Sequence, residues 1–138
     1  MGKRRKIIVN KFILEMKKQP KNANYIDVDG GLANYMRPLG QAYAKVVINN
    51  QREELSIDMR DNTNNEAELF AILFGITECV KNKKNIICSD SQWAIGATTK
   101  DWKIKDRRLK LLSSMIGALL KNYGIVVEWK PREKNLAT

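Results

Sequence analysis

The chain has 138 residues, is 43% hydrophobic, and carries a net charge of +10 from 25 basic and 15 acidic side chains, with no histidine. That length suits one domain with its own core and no disulfide or metal staples, and no apolar run approaches the roughly 18 residues that span a bilayer, so no membrane role is expected. The basic excess favours a polyanionic partner such as nucleic acid or an anionic surface. Cys79 and Cys88 form no metal-spaced pair and read as buried thiols of a reducing compartment, the cytoplasm.

The opening stretch MGKRRKIIVNKFILEMKK has a charged head, but Asn10, Lys11 and Glu15 interrupt its apolar part and no small-residue cleavage site follows, which argues against a signal peptide. Residues 1–22 hold eight basic residues against the single acid Glu15, so most of the charge lies in a basic N-terminal extension ahead of a domain at 23–138. A solvated, solubilising arm is the plainer reading of that extension. QPKNAN, Gln19 to Asn24, is the expected linker. "YIDVDGG" is a β-prone run stopped by two glycines, and "GQAYAKVVINN" is a second strand closed by Asn-Asn. In "REELSIDMR", Leu55, Ile57 and Met59 alternate with Glu54, Ser56, Asp58 and Arg60, the period of a half-buried strand. Only "NNQ" separates these two runs, which predicts a hairpin.

From about Asn64 to Lys81 the period changes. Leu69, Ile72, Leu73, Ile76 and Val80 recur at three- and four-residue steps and predict a helix with one apolar stripe. "NIICSD" is then a short strand, "SQWAIGATT" a short helix or turn, and "RRLKLLSSMIGALLKNY" a helix with Leu109, Leu112, Ile116, Leu119, Leu120 and Tyr123 on one face. "GIVVEW" is a last strand. The order predicts a mixed sheet with helices packed on it, and a right-handed crossover would lay "NIICSD" parallel to "YIDVDG".

Parallel strands share a carboxyl end, so Asp29 and Asp90 are expected at one sheet edge, where Glu68, in the first turn of the long helix, can also point. Three gathered carboxylates repel and call for a cation. An all-oxygen donor set selects a hard one, Mg²⁺ or Mn²⁺. Each acid also has an ordinary explanation. Asn65-x-x-Glu68 or Thr63-x-x-Glu66 is a capping box, Asp29-Gly30 a turn, and Asp90-Ser91 a helix cap. Spacing alone leaves both readings open.

"DVDGG" at 27–31, "TNNEAEL" at 63–69, "CSDSQW" at 88–93 and "VEWKPREKN" at 127–135 resemble, in order and spacing, the four signatures of type 1 ribonuclease H. The last resembles a subgroup with a PRExN-type motif. Any one of these is weak, whereas four in order from Tyr25 to Thr138 are specific. The resemblance implies an α/β, RNase H-like fold: a five-stranded mixed sheet, three antiparallel strands and then parallel ones, flanked by helices. It implies endonucleolytic hydrolysis of the RNA strand of an RNA–DNA hybrid, with 5′-phosphate products and two ions, Mg²⁺ or Mn²⁺; double-stranded RNA is a second candidate substrate. Asp29, Glu68 and Asp90 match the catalytic, metal-holding acids. Gly30, Thr63, Asn64, Asn65, Ser91, Gln92, Arg132 and Asn135 match substrate-binding positions. The competing readings are a catalytically weak or inactive nucleic-acid-binding relative and a DNA resolvase on the same fold.

This chain departs from that pattern in places. The turn after the first Asp is altered to "GGLANYMRPLG", and Arg132 stands where relatives carry a His loop. Thr138 stands where relatives carry a fourth Asp. Its terminal carboxylate is the expected substitute as catalytic and metal ligand, against the simpler reading that the fourth ligand is missing and activity is low or Mn²⁺-dependent. The usual closing helix is expected to be absent. Asp27, on the same strand face as Asp29, is expected to hydrogen-bond a neighbour, and Trp93 and Trp102 to be core or rim residues.

Overall fold

A computed structural model of the chain describes Gln19 and residues 23–32, 42–57 and 63–138. The elements are β1 (Tyr25–Leu32), β2 (Ala42–Ile48), β3 (Gln51–Ile57), α1 (Asn64–Asn82), β4 (Ile86–Ser89), α2 (Gln92–Thr99), α3 (Arg107–Tyr123), β5 (Val126–Trp129) and a 3₁₀ turn (Arg132–Lys134). The basic extension other than Gln19, the loop after β1 and the stretch carrying Asp58 and Met59 lie outside the described residues. The strands form one sheet in the order β3-β2-β1-β4-β5. β1 pairs antiparallel with β2, and β2 with β3; β4 pairs parallel with β1 and with β5. This is the expected mixed arrangement.

The β2–β3 hairpin closes on two residues, Asn49 and Asn50, with φ of 50° and 66°. Both left-handed positions match the twist of the strands, and asparagine tolerates them better than most residues. β3 is the edge strand, and Leu55 on it is 48% exposed, so the half-buried alternation expected there is not realised. Among the described residues β3 has one neighbouring strand and is not packed under α1 as β1 is.

α1 packs Leu69, Ile72 and Ile76 against Ile26, Val28 and Val46. The stripe differs from the expectation at its end: Cys79 is fully buried and Val80 is 48% exposed. Seven residues beyond Ile72 return to within about 20° of the same line, whereas eight rotate roughly 80° away. α3 buries Ile116 and Leu120, with Leu109, Leu112 and Leu119 partly covered, and leaves Tyr123 half exposed. Asp106 caps its start by accepting the Leu109 N–H at 3.0 Å, and Gly124, at φ 64°, ends it in the left-handed conformation. Both cysteines are buried and free. Burial pushes the Cys79 thiol up to about 12 and Cys88 up to about 11, which leaves them unreactive. No helix among the described residues is long and apolar enough to cross a membrane.

Candidate active site

β1 and β4 run parallel with Asp27 beside Cys88, and the same register carried forward sets Asp29 level with Asp90. Just after β4 the Ser89 hydroxyl accepts the Ser91 N–H at 3.1 Å, shaping the turn that presents Asp90. The third acid arrives from α1. Gly30 makes that approach possible: a Cβ there would lie 2.2 Å from the Ala67 carbonyl oxygen and 2.8 Å from the Glu68 nitrogen. Only a residue without a side chain lets α1 sit this close to β1.

Thr63 is the N-cap of α1, its hydroxyl accepting the Glu66 N–H at 3.2 Å. The helix therefore begins at Asn64, and Asn65 does not cap it. Glu68 falls in the second turn rather than the first, and the acid of the first turn is Glu66, which is buried against Arg108 of α3. That pair fastens the start of α1, so Glu68 is free of capping duty. One oxygen from each of Asp29, Glu68 and Asp90 lies within 4.8 Å of the others.

Burial, and then the charges of Asp29 and Asp90, push the Glu68 carboxyl up to about 8. Burial and Asp90 push Asp29 up to about 6, opposed by Lys45, Arg132 and the Gly30 N–H. Oε2 of Glu68 is buried without a hydrogen-bond partner. A native carboxylate oxygen rarely goes unsatisfied in the interior, and a cation between the three acids would satisfy it. The donor set is all oxygen and anionic, which fits a hard divalent ion.

A family model described as RNase H matches residues 21–130. The chain belongs to the RNase H family. A ribonuclease H from Desulforamulus reducens is 44% identical over 57 residues, or 41% of this chain and 35% of that protein, so the match spans about a third of the relative's length. Among solved structures, LC11-RNase H1 from a compost metagenome is 25% identical with a TM-score of 0.63, over 80% of this chain and 86% of that one. The N-terminal RNase H domain of a Mycobacterium tuberculosis protein is 25% identical with a TM-score of 0.61, over 80% and 84%. The fold is thus the RNase H-like α/β fold.

The remaining positions expected to serve this RNase H differ in their surroundings. Thr63, Asn64 and Asn65 are exposed at the start of α1. Ser91 caps α2 by accepting the Ala94 N–H at 3.1 Å, and Gln92 beside it is exposed. Arg132 is exposed on the 3₁₀ turn, and its charge acts on Asp29. Asn135, expected as a substrate contact, is buried: its Nδ2 donates to the Val28 carbonyl at 3.0 Å and its Oδ1 accepts the Ala137 N–H at 2.8 Å. Its amide is spent on bracing β1 beside Asp29. Thr138 reaches Asp90 through its hydroxyl, which donates to Asp90 Oδ2 at 3.4 Å, whereas its main-chain carboxyl oxygen, the expected ligand, accepts Arg52 Nη2 at 3.2 Å. Arg132, Glu133, Asn135 and Thr138 line a depression of about 370 Å³ beside the acids.

Asp27 hydrogen-bonds neighbours, Lys130 and the Leu136 backbone, as expected. Trp93 is partly buried against the core, and Trp102 lies over Gly96 at the rim. Lys45 and Tyr43 escaped the sequence reading. Lys45 stands directly opposite Asp29 on β2, with its Nζ 4.7 Å from the centre of the Tyr43 ring. Their place depends on the β1–β2 register, which no local pattern announces.

Proposed function

We propose that this RNase H domain cleaves the RNA strand of RNA–DNA hybrids at internal positions, leaving 5′-phosphate ends, with two divalent ions, Mg²⁺ or Mn²⁺, held by Asp29, Glu68 and Asp90. The observation that carries this reading is the convergence of carboxylate oxygens from Asp29, Glu68 and Asp90 within 4.8 Å, beside a buried Glu68 oxygen, Oε2, that has no hydrogen-bond partner. Such ions, when bound, supply Lewis acidity at the scissile phosphate and lower the pKa of an attacking water. The chain supplies the frame for that chemistry. Asp29, set level with Asp90 by the β1–β4 register and approached by α1 at Gly30, would hold the ions together with Glu68 and Asp90. Lys45 and Arg132 flank it with positive charge, which suits a phosphate drawn against the acids.

Thr63, Asn64, Asn65, Ser91 and Gln92, with the Gly30 backbone, form the substrate-facing rim. Small polar donors suit a wide minor groove lined with 2′-hydroxyls, read by shape rather than by base code. LC11-RNase H1, which shares the fold, has been solved in complex with an RNA/DNA hybrid, and this supports the same substrate here. Double-stranded RNA presents a related groove and is the secondary substrate. Two free, buried thiols support a reducing compartment such as the cytoplasm. One feature favours a catalytically weak, hybrid-binding alternative: Thr138 brings a hydroxyl rather than a side-chain carboxylate to Asp90.

The test is cleavage of an end-labelled hybrid in Mg²⁺ and in Mn²⁺, with Asp29→Asn as control and a four-way DNA junction as competitor substrate. Internal RNA cuts that fall at least about a hundredfold in the variant are expected. Hybrid retention without cutting would establish the binding-only alternative, and junction cleavage would establish a resolvase.

A further inference from the structure

Asp27 is a carboxylate in the middle of β1 with no solvent exposure. An acid so placed is costly unless paired and hydrogen-bonded. Both of its oxygens are taken by the segment that follows β5. Oδ1 accepts Lys130 Nζ at 2.7 Å and Oδ2 accepts the Leu136 N–H at 3.2 Å. Lys130 is itself held over the Tyr25 ring, 4.4 Å from its centre. Asn135 adds its bond to the Val28 carbonyl, and Arg52 reaches from β3 to the Leu136 carbonyl at 3.0 Å. The 130–138 segment leaves the sheet from a last backbone bond, the Lys130 N–H donating to the Ser89 carbonyl at 2.9 Å, and from there it is fastened by bonds to and from side chains, with Arg132 between Lys130 and Asn135.

Stability alone gives no reason for an ion pair at this point, because apolar residues of similar size usually do as well or better in a buried setting. What a buried pair adds is direction: it accepts one register of the segment against β1 and penalises others. We propose that the Asp27–Lys130 pair is a clasp that sets where Arg132 stands against Asp29, making Asp27 a positioning residue for the hybrid substrate. The substrate part rests on the function proposed above, whereas the clasp itself does not.

A double-mutant cycle tests it. Asp27→Asn and the paired change Asp27→Leu with Lys130→Met are each made with and without Arg132→Ala. Each protein is measured for kcat/KM, for Kd with a fluorescent hybrid, and for hydrogen exchange at the Leu136 amide. The Leu/Met pair strands no buried charge, because it removes both together, although it leaves the Leu136 N–H without its acceptor; circular dichroism and Tm identify the folded proteins that enter the cycle. Asp27→Asn and the Leu/Met pair are expected to lose about fivefold to tenfold in kcat/KM, and no more than about twofold once Arg132 is already alanine, the non-additivity of groups acting through one another. The Leu136 amide of the Leu/Met pair should exchange at least about tenfold faster. Losses that simply multiply, or wild-type kcat/KM in a folded Leu/Met protein, would reduce the pair to packing and overturn the proposal. A wild-type chain that binds hybrid without cutting would refute the nuclease reading, and the same cycle on Kd would then decide the clasp. A wild-type chain that neither binds nor cuts overturns the nuclease reading and the substrate part of the proposal, and unchanged exchange at the Leu136 amide of the Leu/Met pair then overturns the clasp as well.

Discussion

An alanine at position 30 would set its methyl carbon 2.2 Å from a backbone carbonyl of α1, and backbone on both sides cannot rotate out of the way. Gly30→Ala is therefore expected to cost about 1–3 kcal/mol or more, seen as a lower Tm. It should also depress hybrid cleavage beyond the stability loss, because the shift moves Glu68 away from Asp29. The acids themselves predict a pH dependence. Glu68 is raised from 4.5 to about 8 and Asp29 from 3.8 to about 6, so the folded chain holds these protons more tightly than the unfolded one. Without metal, their contribution favours folding most below about 4 and declines as pH rises toward 8. Urea midpoints of metal-free protein should fall across that window, and added Mg²⁺ or Mn²⁺ should flatten the fall by favouring the ionised acids. A flat metal-free profile would contradict this account of the centre. At this scale the sequence located Asp29, Glu68 and Asp90 by type and order. It could not show that Asn135 is spent on the Val28 carbonyl, or that Lys45 faces Asp29, since both depend on partners far away in the chain.

The elements were legible wherever periodicity and end signals coincide. α3 spans Arg107–Tyr123, the whole of the stretch read as helical, because Asp106 caps one end and Gly124 closes the other. Gly124 has φ 64° with open space around its missing Cβ, so Gly124→Ala should cost about 1 kcal/mol from the backbone alone. That corresponds to roughly 3–6 °C in Tm for a domain of this size, with no effect on cleavage. The Asn49-Asn50 hairpin was legible for a similar local reason. Less legible was which side of α1 is buried near its end, where Cys79 displaces Val80, and how far β3 is covered. The first follows from the helix period counted from Ile72, which returns to Cys79 and not to Val80, and the second from where the neighbouring elements stop, which a strand does not itself encode.

For the whole molecule, the net charge of +10 predicts that hybrid affinity falls steeply with salt, by at least about tenfold between 50 and 200 mM. Deleting residues 1–18, which leaves Gln19 and its bonds to Val47 and Asn50 in place, should flatten that slope if the basic extension contacts phosphates. Competition binding in a salt series measures this directly, and an unchanged slope would make the extension a solubilising arm. Composition and charge thus bear on partners, and the alternation of strand and helix periods determined the sheet-and-helix class. Four motifs in order determined the family. These are properties of the chain read locally or in sequence order. The tertiary structure decided the rest: the β1–β2 register that brings Lys45 to Asp29, the Gly30 gap that admits α1, and the burial of Asp27 against Lys130. Each is a contact between residues distant in sequence, fixed by packing of whole elements, and no local pattern carries that information.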